Sequence, residues 1–112
     1  MTYHVEIGPR AADDIRHAYR WLLERAPEAA VRWYDGLSEA IQSLESNPER
    51  CPLAPEGTFF NKKIHQLLYG HRPSIYRVLF LVTAQRVHVL RVRHGAQQYL
   101  LATDLNDDER SE

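Results

Sequence analysis

Apolar and polar residues alternate over residues 2–7, and this period of two predicts a short strand. Gly8 and Pro9 break the pattern, and the apolar residues that follow recur every three or four positions. This spacing predicts a helix over residues 10–25 that buries one face. The apolar positions of this helix are Ala11, Ile15, Ala18, Tyr19 and Leu22.

A second stretch of helical spacing predicts a helix over residues 28–46. Its apolar positions are Ala30, Trp33, Tyr34, Leu37, Ala40, Ile41 and Leu44. Because only Ala26 and Pro27 link the two helices, we expect them to run antiparallel as a hairpin. Residues 48–61 contain three prolines and predict a loop.

The period changes again at Lys62, where runs of β-branched and aromatic residues begin. They predict strands over residues 62–69, 75–83 and 86–93. The intervening residues, 70–74 and 84–85, have the composition of turns. Three consecutive strands joined by short turns predict an antiparallel arrangement.

The element order β-α-α-β-β-β predicts an α+β fold. We expect the antiparallel helical hairpin to pack on one face of a small antiparallel or mixed sheet. In the middle strand, the side chains predicted beneath the helices are Tyr76, Val78, Phe80 and Val82. Those predicted on the opposite, uncovered face are Arg77, Leu79 and Leu81. We expect one domain over residues 1–102, ending in a short strand or turn at 96–102, and a flexible acidic tail over 103–112.

The amino-acid composition does not change the predicted fold class. The chain has 112 residues, of which 44% are hydrophobic and 26% charged, as in ordinary globular proteins. No apolar run approaches the roughly 20 residues that cross a bilayer, and the first residues do not resemble a secretory signal. The single cysteine, Cys51, excludes an internal disulfide and is expected to be a packing residue. We therefore expect a cytoplasmic protein without a membrane partner.

Charge is distributed unevenly along the chain. Residues 57–103 contain seven Lys or Arg residues and no Asp or Glu, whereas the segments on either side are acidic. This asymmetry favours a face that meets an anion, such as nucleic acid, phosphate or an acidic protein segment. The alternative is that carboxylates of the two helices pair with these cations inside the fold.

The candidate site residues lie on the three predicted strands or just beyond them. They are Lys63, His65, Arg77, Arg91, Arg93, His94 and Tyr99. Lys63 with His65, and Arg91 with Arg93, have the i, i+2 spacing that puts both side chains on one face of a regular strand. We therefore expect these cations to gather on the uncovered face, although a bulge would move half of them.

This group of side chains suits cleavage of RNA without a metal, which needs a base, an acid and cations around the phosphate. The expected roles are base for His65 or Lys63, phosphate clamp for Arg77 and Arg93, acid for His94 and base stacking for Tyr99. The alternative is that these residues only solvate the sheet. The spacing of the histidines predicts no metal site, and no motif predicts a cofactor.

Several motifs in order resemble the RelE/ParE superfamily of toxins from bacterial type II toxin–antitoxin systems. The resemblance covers about residues 3–99. The motifs are Ala12-Asp13-Asp14-Ile15, Pro27-Glu28-Ala29-Ala30, Trp33-Tyr34, Leu44 with Pro48, Ile64-His65-Gln66-Leu67, Tyr76-Arg77-Val78-Leu79-Phe80 and Val87 to Ala96. The Tyr-Arg strand and the His-Gly-Ala ending are the most specific of them.

The resemblance implies a cytoplasmic toxin that inhibits growth and is neutralised by a cognate antitoxin in a hetero-oligomer. In such families a C-terminal segment of the antitoxin covers the helical hairpin and part of the sheet. The RelE branch cuts messenger RNA on the ribosome, whereas the ParE branch inhibits DNA gyrase and is not known as a nuclease. The long hairpin and the ending His94-Gly95-Ala96 are more similar to the ParE branch.

By position, Arg77 matches the strand arginine of the RelE-type site, and Lys63 and His65 fall where that site has two basic groups. Gln97 stands where family members commonly have an arginine, and this difference weakens phosphate binding. Three functions stay open: a gyrase-directed toxin, a metal-independent ribosome-dependent mRNA endoribonuclease, and an inactive toxin fold kept as a binding module. If Arg77 clamps phosphate, Arg77→Ala is expected to spare the fold and abolish RNA cutting.

Overall fold

The computed structural model describes residues 2–95, which form three α-helices and four strands. They are β1 (His4–Ile7), α1 (Pro9–Arg25), α2 (Pro27–Gln42), α3 (Glu56–Phe60), β2 (His65–His71), β3 (Ser74–Thr83) and β4 (Arg86–His94). The segment predicted at 96–102, the tail at 103–112 and the proposed domain boundary between them lie outside the described residues.

The four strands form one mixed sheet in the order β1-β4-β3-β2. The chain returns through short turns between β2, β3 and β4, so these strands pair antiparallel. β1 pairs parallel with β4, and the α1–α2 hairpin belongs to the connection between β1 and the rest of the sheet. The predicted α+β fold and its element order are thereby confirmed.

The main core lies between the hairpin and one face of the sheet. Its fully or almost fully buried members are Ala11, Leu37, Ile41, Leu44, Cys51, Val78, Phe80, Val87, Val89 and Val92. Tyr76 and Val82 pack against this cluster, so the four β3 residues predicted beneath the helices are confirmed there. Burial of each large apolar side chain stabilises the fold by roughly 1.5–3 kcal/mol.

The opposite face of the sheet is not uncovered. Ala54 and Ile64, on either side of α3, form a second core cluster with Leu79 of β3. Phe60, Leu81 and Leu90 pack against that cluster. Within residues 48–61, predicted as a loop, the part around Ala54 and Phe60 therefore packs on this face and contains α3.

Gly57 allows the chain to close around α3. A Cβ atom built at Gly57 would lie 2.4 Å from the carbonyl oxygen of Lys62, so any larger residue there collides with backbone. A helix of only five residues is too short to show an apolar period, which is why the sequence pattern did not predict α3.

Two predicted elements, α2 and β2, have different boundaries in the structure. α2 ends at Gln42, and residues 43–45 tighten into a 3₁₀ turn in which the Ser43 hydroxyl donates to the carbonyl of Ala40 at 2.6 Å. β2 begins at His65 rather than Lys62 and continues to His71. The remaining predicted helix and strands agree within one or two residues, and Ala84-Gln85 form the predicted turn.

Tyr69 of β2 ties the sheet to α2. Its hydroxyl donates a hydrogen bond to the Trp33 carbonyl at 2.9 Å. Burial, and secondarily the negative charge of Glu39, raise the pKa of Tyr69 above its ordinary value. Gly36 makes room for this contact, because a Cβ atom there would lie 2.2 Å from the Tyr69 hydroxyl oxygen.

We expect Gly36→Ala to lower the free energy of unfolding by about 1–2 kcal/mol, because overpacking outweighs the better helix propensity of alanine. In a Tyr69→Phe background the hydroxyl is absent, and the cost of Gly36→Ala is expected to shrink by about 1 kcal/mol. Urea unfolding of the four proteins measures this coupling. An equal cost in both backgrounds would contradict the contact.

Candidate functional site

Arg77 of β3 forms a buried ion pair with Glu56 of α3. Two guanidinium nitrogens of Arg77 donate to the two Glu56 oxygens at 2.9 and 2.7 Å. The Gln66 side-chain oxygen accepts from Nε and Nη2 of Arg77 at 3.0 and 2.9 Å. Glu56 is fully buried and the Arg77 side chain is only 11% exposed. All three guanidinium nitrogens therefore donate to the side chains of Glu56 and Gln66.

Arg93 is the cross-strand partner of Arg77. The register pairs the two residues, which puts both side chains on the α3 side of the sheet as predicted. Arg93 is half-buried. These two arginines are the part of the predicted cationic cluster that the structure brings together.

Arg91 lies on the hairpin side of the sheet, so its predicted place on the uncovered face is wrong. The register shifts between Leu79, which pairs with Arg91, and Phe80, which pairs with Val89. The extra residue in β4 turns Arg91 toward α1. There, Asp14 accepts from two nitrogens of Arg91 at 2.8 and 3.0 Å and from the Val92 backbone N–H at 2.9 Å.

His65 also lies on the hairpin side, so its predicted place beside Arg77 is wrong. β2 pairs His65 with Phe80, and the His65 ring stacks on the Phe80 ring with centroids 5.4 Å apart. The His65 Nδ1 lies 2.8 Å from the Cys51 carbonyl oxygen, which can only accept, so Nδ1 carries a proton and donates. His65 is buried, and its position is that of a core residue rather than of a base facing solvent.

Cys51 is buried, as expected of a packing residue. Burial raises the pKa of its thiol, and the positive charge of Arg50 opposes this effect more weakly. A protonated, buried thiol is a poor nucleophile.

His94 and Lys63 are the other candidates among the described residues. His94 ends β4 on the hairpin side, where its ring meets Tyr76 edge-on with centroids 5.0 Å apart. Lys63 is exposed between α3 and β2. Tyr99 and Gln97 lie outside the described residues. The predicted single cluster is therefore divided between two faces of the sheet.

A cavity of about 670 Å³ opens between the hairpin and the end of the sheet. We call it the hairpin groove, and its lining residues are Asp14, His17, Ala18, Trp21, Leu22, Trp33, Ser74, Tyr76, Val92 and His94. Burial raises the pKa of the Tyr76 hydroxyl above its ordinary value. The groove offers apolar and aromatic surface to a partner rather than a cluster of cations.

Carboxylates of the first half of the chain pair with cations of the second half. The pairs are Glu6 with Arg86, Asp14 with Arg91 and Glu56 with Arg77. These pairs agree with the alternative prediction, in which carboxylates neutralise the cations of the second half inside the fold. Of the three carboxylates, only Asp14 belongs to the helical hairpin. Within residues 2–95, no three His, Cys, Asp or Glu side chains come close enough together to hold a metal ion. No helix in the described part of the chain is long and apolar enough to cross a membrane.

The fold agrees with the family that the sequence matches. Residues 5–99 match the family described as "ParE toxin of type II toxin-antitoxin system, parDE". The fold is also similar to a chain in a solved structure titled "Chromosomal ParDE TA system from P. aeruginosa", with a TM-score of 0.64 and 16% sequence identity. The match covers 83% of the present chain and 96% of that chain. At that identity the likeness concerns the fold alone.

Curated relatives extend over nearly the whole described chain. "Toxin RelE1" of Caulobacter vibrioides is 31% identical over 98 residues, which cover 88% of this chain and 99% of the relative. "Toxin RelE3" of the same organism is 29% identical, over 84% of this chain and 96% of the relative. "Toxin ParE2" of Mycobacterium tuberculosis is 27% identical, over 87% of this chain and 86% of the relative.

A helical hairpin on a mixed four-stranded sheet, with these matches, defines a toxin of the RelE/ParE superfamily. The chain belongs to the ParE toxin family. It is the toxin component of a type II toxin–antitoxin system, and an antitoxin is its partner.

The buried pair predicts that Arg77 contributes to stability, in contrast to the expectation from the sequence that Arg77→Ala would spare the fold. We expect Arg77→Met to lower the free energy of unfolding by about 3–5 kcal/mol, because it leaves the Glu56 carboxylate buried without its counter-charge. Adding Glu56→Leu is expected to restore most of the loss, since an apolar pair has no charge to desolvate.

Chemical unfolding measures both variants. Arg86→Met is the matched control, because it removes an exposed pair with Glu6 and is expected to cost no more than about 1 kcal/mol. A loss at Arg77→Met as small as that of the control, or a double variant no more stable than Arg77→Met, would contradict the buried pair.

Proposed function

We propose that this toxin stops growth by binding DNA gyrase through protein contacts rather than by cutting RNA. The observation that supports this proposal most strongly is the ion pair between Arg77 and Glu56. A phosphate clamp must offer guanidinium N–H groups to the phosphate, but here the Glu56 oxygens already accept two of them. To bind phosphate, Arg77 would have to leave a fully buried carboxylate without a counter-charge.

The positions of the other candidates support the same proposal. General acid and base groups must lie within hydrogen-bond reach of one reacting phosphate. His65 and His94 lie on the hairpin side of the sheet, whereas Arg77 and Arg93 lie on the α3 side. Gln97 also lacks the guanidinium that family members commonly offer at that position.

The mRNA endoribonuclease is the second candidate function. Two of the curated relatives carry the name RelE, and Arg77 and Arg93 are neighbours on one face of the sheet. This candidate requires the α3 segment to move away from Arg77 when RNA binds. The family match to ParE toxins over residues 5–99 favours the gyrase-directed function.

We further propose that the antitoxin binds along the hairpin groove. Trp21 is 54% exposed at its rim, and its ring stacks under the Arg25 guanidinium, 3.9 Å from the ring centroid. Leu23, Val31 and Tyr34 add exposed apolar surface on the same two helices. An amphipathic segment of a partner would bury these side chains. Both the antitoxin and the proposed gyrase target favour a cytoplasmic location.

The target is tested with a variant that lacks the guanidinium but keeps the fold. Glu56→Leu/Arg77→Met is expected to arrest growth and to inhibit supercoiling by purified gyrase within about threefold of the wild type, since the proposed mechanism does not use Arg77. Primer extension on transcripts from arrested cells is expected to show no in-frame cuts. Loss of growth arrest in this folded variant, or in-frame cuts made by the wild type, would favour the nuclease.

The antitoxin surface is tested by truncating its most exposed aromatic side chain. Trp21→Ala is expected to weaken antitoxin binding by about 2–4 kcal/mol, which is roughly 30-fold to 1,000-fold in Kd. Leu53→Ala is the matched control, because Leu53 is similarly exposed but lies beside α3. Titration calorimetry compares the two variants, and equal affinities would contradict the placement of the antitoxin.

A further inference from the structure

A second cavity, of about 530 Å³, lies beside α3 and is separate from the hairpin groove. Its lining residues are Leu53, Ala54, Gly57, Thr58, Asn61, Lys62, Lys63 and Ile64. Ala54 and Ile64 pack on Leu79, so this cavity belongs to the sheet face opposite the hairpin. The proposed antitoxin surface does not include any of these residues.

The segment that carries this cavity exposes two apolar side chains. Leu53 lines the cavity and is 57% exposed, and Phe59, which is 76% exposed, follows the lining residue Thr58 in α3. Neither is needed to fill the second core cluster, which Ala54, Ile64 and Leu79 form. Exposed apolar side chains in one short segment beside a cavity are typical of surfaces that bind a protein partner.

The charge of the same surface is one-sided. Lys62 and Lys63 are exposed and line the cavity, and none of its lining residues carries a carboxylate. Glu56, the nearest acid in the sequence, is fully buried against Arg77. We define Leu53, Phe59, Lys62 and Lys63 as the α3 patch, which combines two apolar side chains with two positive charges.

We infer that the α3 patch is the surface that contacts the toxin's target, and that the target presents there an apolar side chain flanked by Asp or Glu. Opposite charges at the rim fix orientation and speed encounter, while the apolar anchors lose contact with water. A nucleic acid fits this surface less well, because two lysines neutralise few phosphates and a phosphate backbone offers no apolar group to Leu53 and Phe59. The identity of the target as gyrase rests on the function proposed above, whereas the position of the surface does not.

Two variants test the α3 patch, Phe59→Ser and the double charge reversal Lys62→Glu/Lys63→Glu. Each is expected to weaken both gyrase inhibition and growth arrest by roughly tenfold or more, because an anchor is lost or the rim repels the partner. Arg72→Glu is the matched charge reversal, since Arg72 is exposed in the turn between β2 and β3 and outside the patch. It is expected to act like the wild type.

Antitoxin affinity reports on folding in the same proteins and is expected to stay within about twofold of the wild type. Patch variants that arrest growth as well as the wild type would overturn the inference. Patch variants that lose antitoxin affinity in parallel would also overturn it, because the patch would then belong to the antitoxin interface or to the fold. If the wild type cuts RNA and only the patch variants fail to do so, the occupant is nucleic acid and the acidic protein partner is excluded.

The two proposals fail in different ways. If the wild type leaves supercoiling by purified gyrase unchanged, the proposed target is wrong, and growth arrest alone then decides whether the patch contacts the target. If the wild type inhibits gyrase and the patch variants inhibit it equally, gyrase stands as the target and the patch does not bind it.

Discussion

The ion pair between Glu56 and Arg77 determines what the α3 side of this sheet can do. It fixes α3 to β3, and with it the segment that closes over Leu79 and Ile64. Desolvating two charges is costly, and the pair is stable only because its geometry is bidentate and Gln66 accepts from the same guanidinium. Arg77, which the sequence resemblance predicted as a phosphate clamp, is therefore held here by groups of the protein itself.

With Arg77 bound internally, the surfaces left for partners differ in chemistry. The hairpin groove is aromatic and apolar, with Trp33 and Tyr76 packed against each other at 5.1 Å between ring centroids. The α3 patch combines lysines with exposed apolar side chains. If the two proposals hold, the toxin meets its antitoxin and its target through separate sets of residues on opposite sides of one small sheet.

The periodic parts of the sequence predicted the fold well, because burial on one face leaves a visible repeat. The helical spacing identified both helices of the hairpin, and the alternation in β3 assigned Val78 and Phe80 to the core. The candidate site was predicted less well, because its geometry depends on a bulge and on strand register. Neither of these leaves a repeating pattern in the sequence. The extra residue in β4 turned Arg91 toward Asp14, and the pairing of β2 put His65 on Phe80. The burial of Glu56 has no signal in the sequence beyond its position as the last acid before a long basic stretch.

The most direct test is whether the Arg77 guanidinium stays bound to Glu56 and Gln66 in solution. The Nε–H of Arg77, which donates to Gln66, can be followed by NMR in the purified toxin while a short RNA is added. The buried ion pair predicts a signal that is protected from exchange with water. It also predicts that the position of this signal stays unchanged up to the highest RNA concentration added. A signal that exchanges rapidly, or that shifts as RNA binds, would show that Arg77 is available to phosphate and would contradict it.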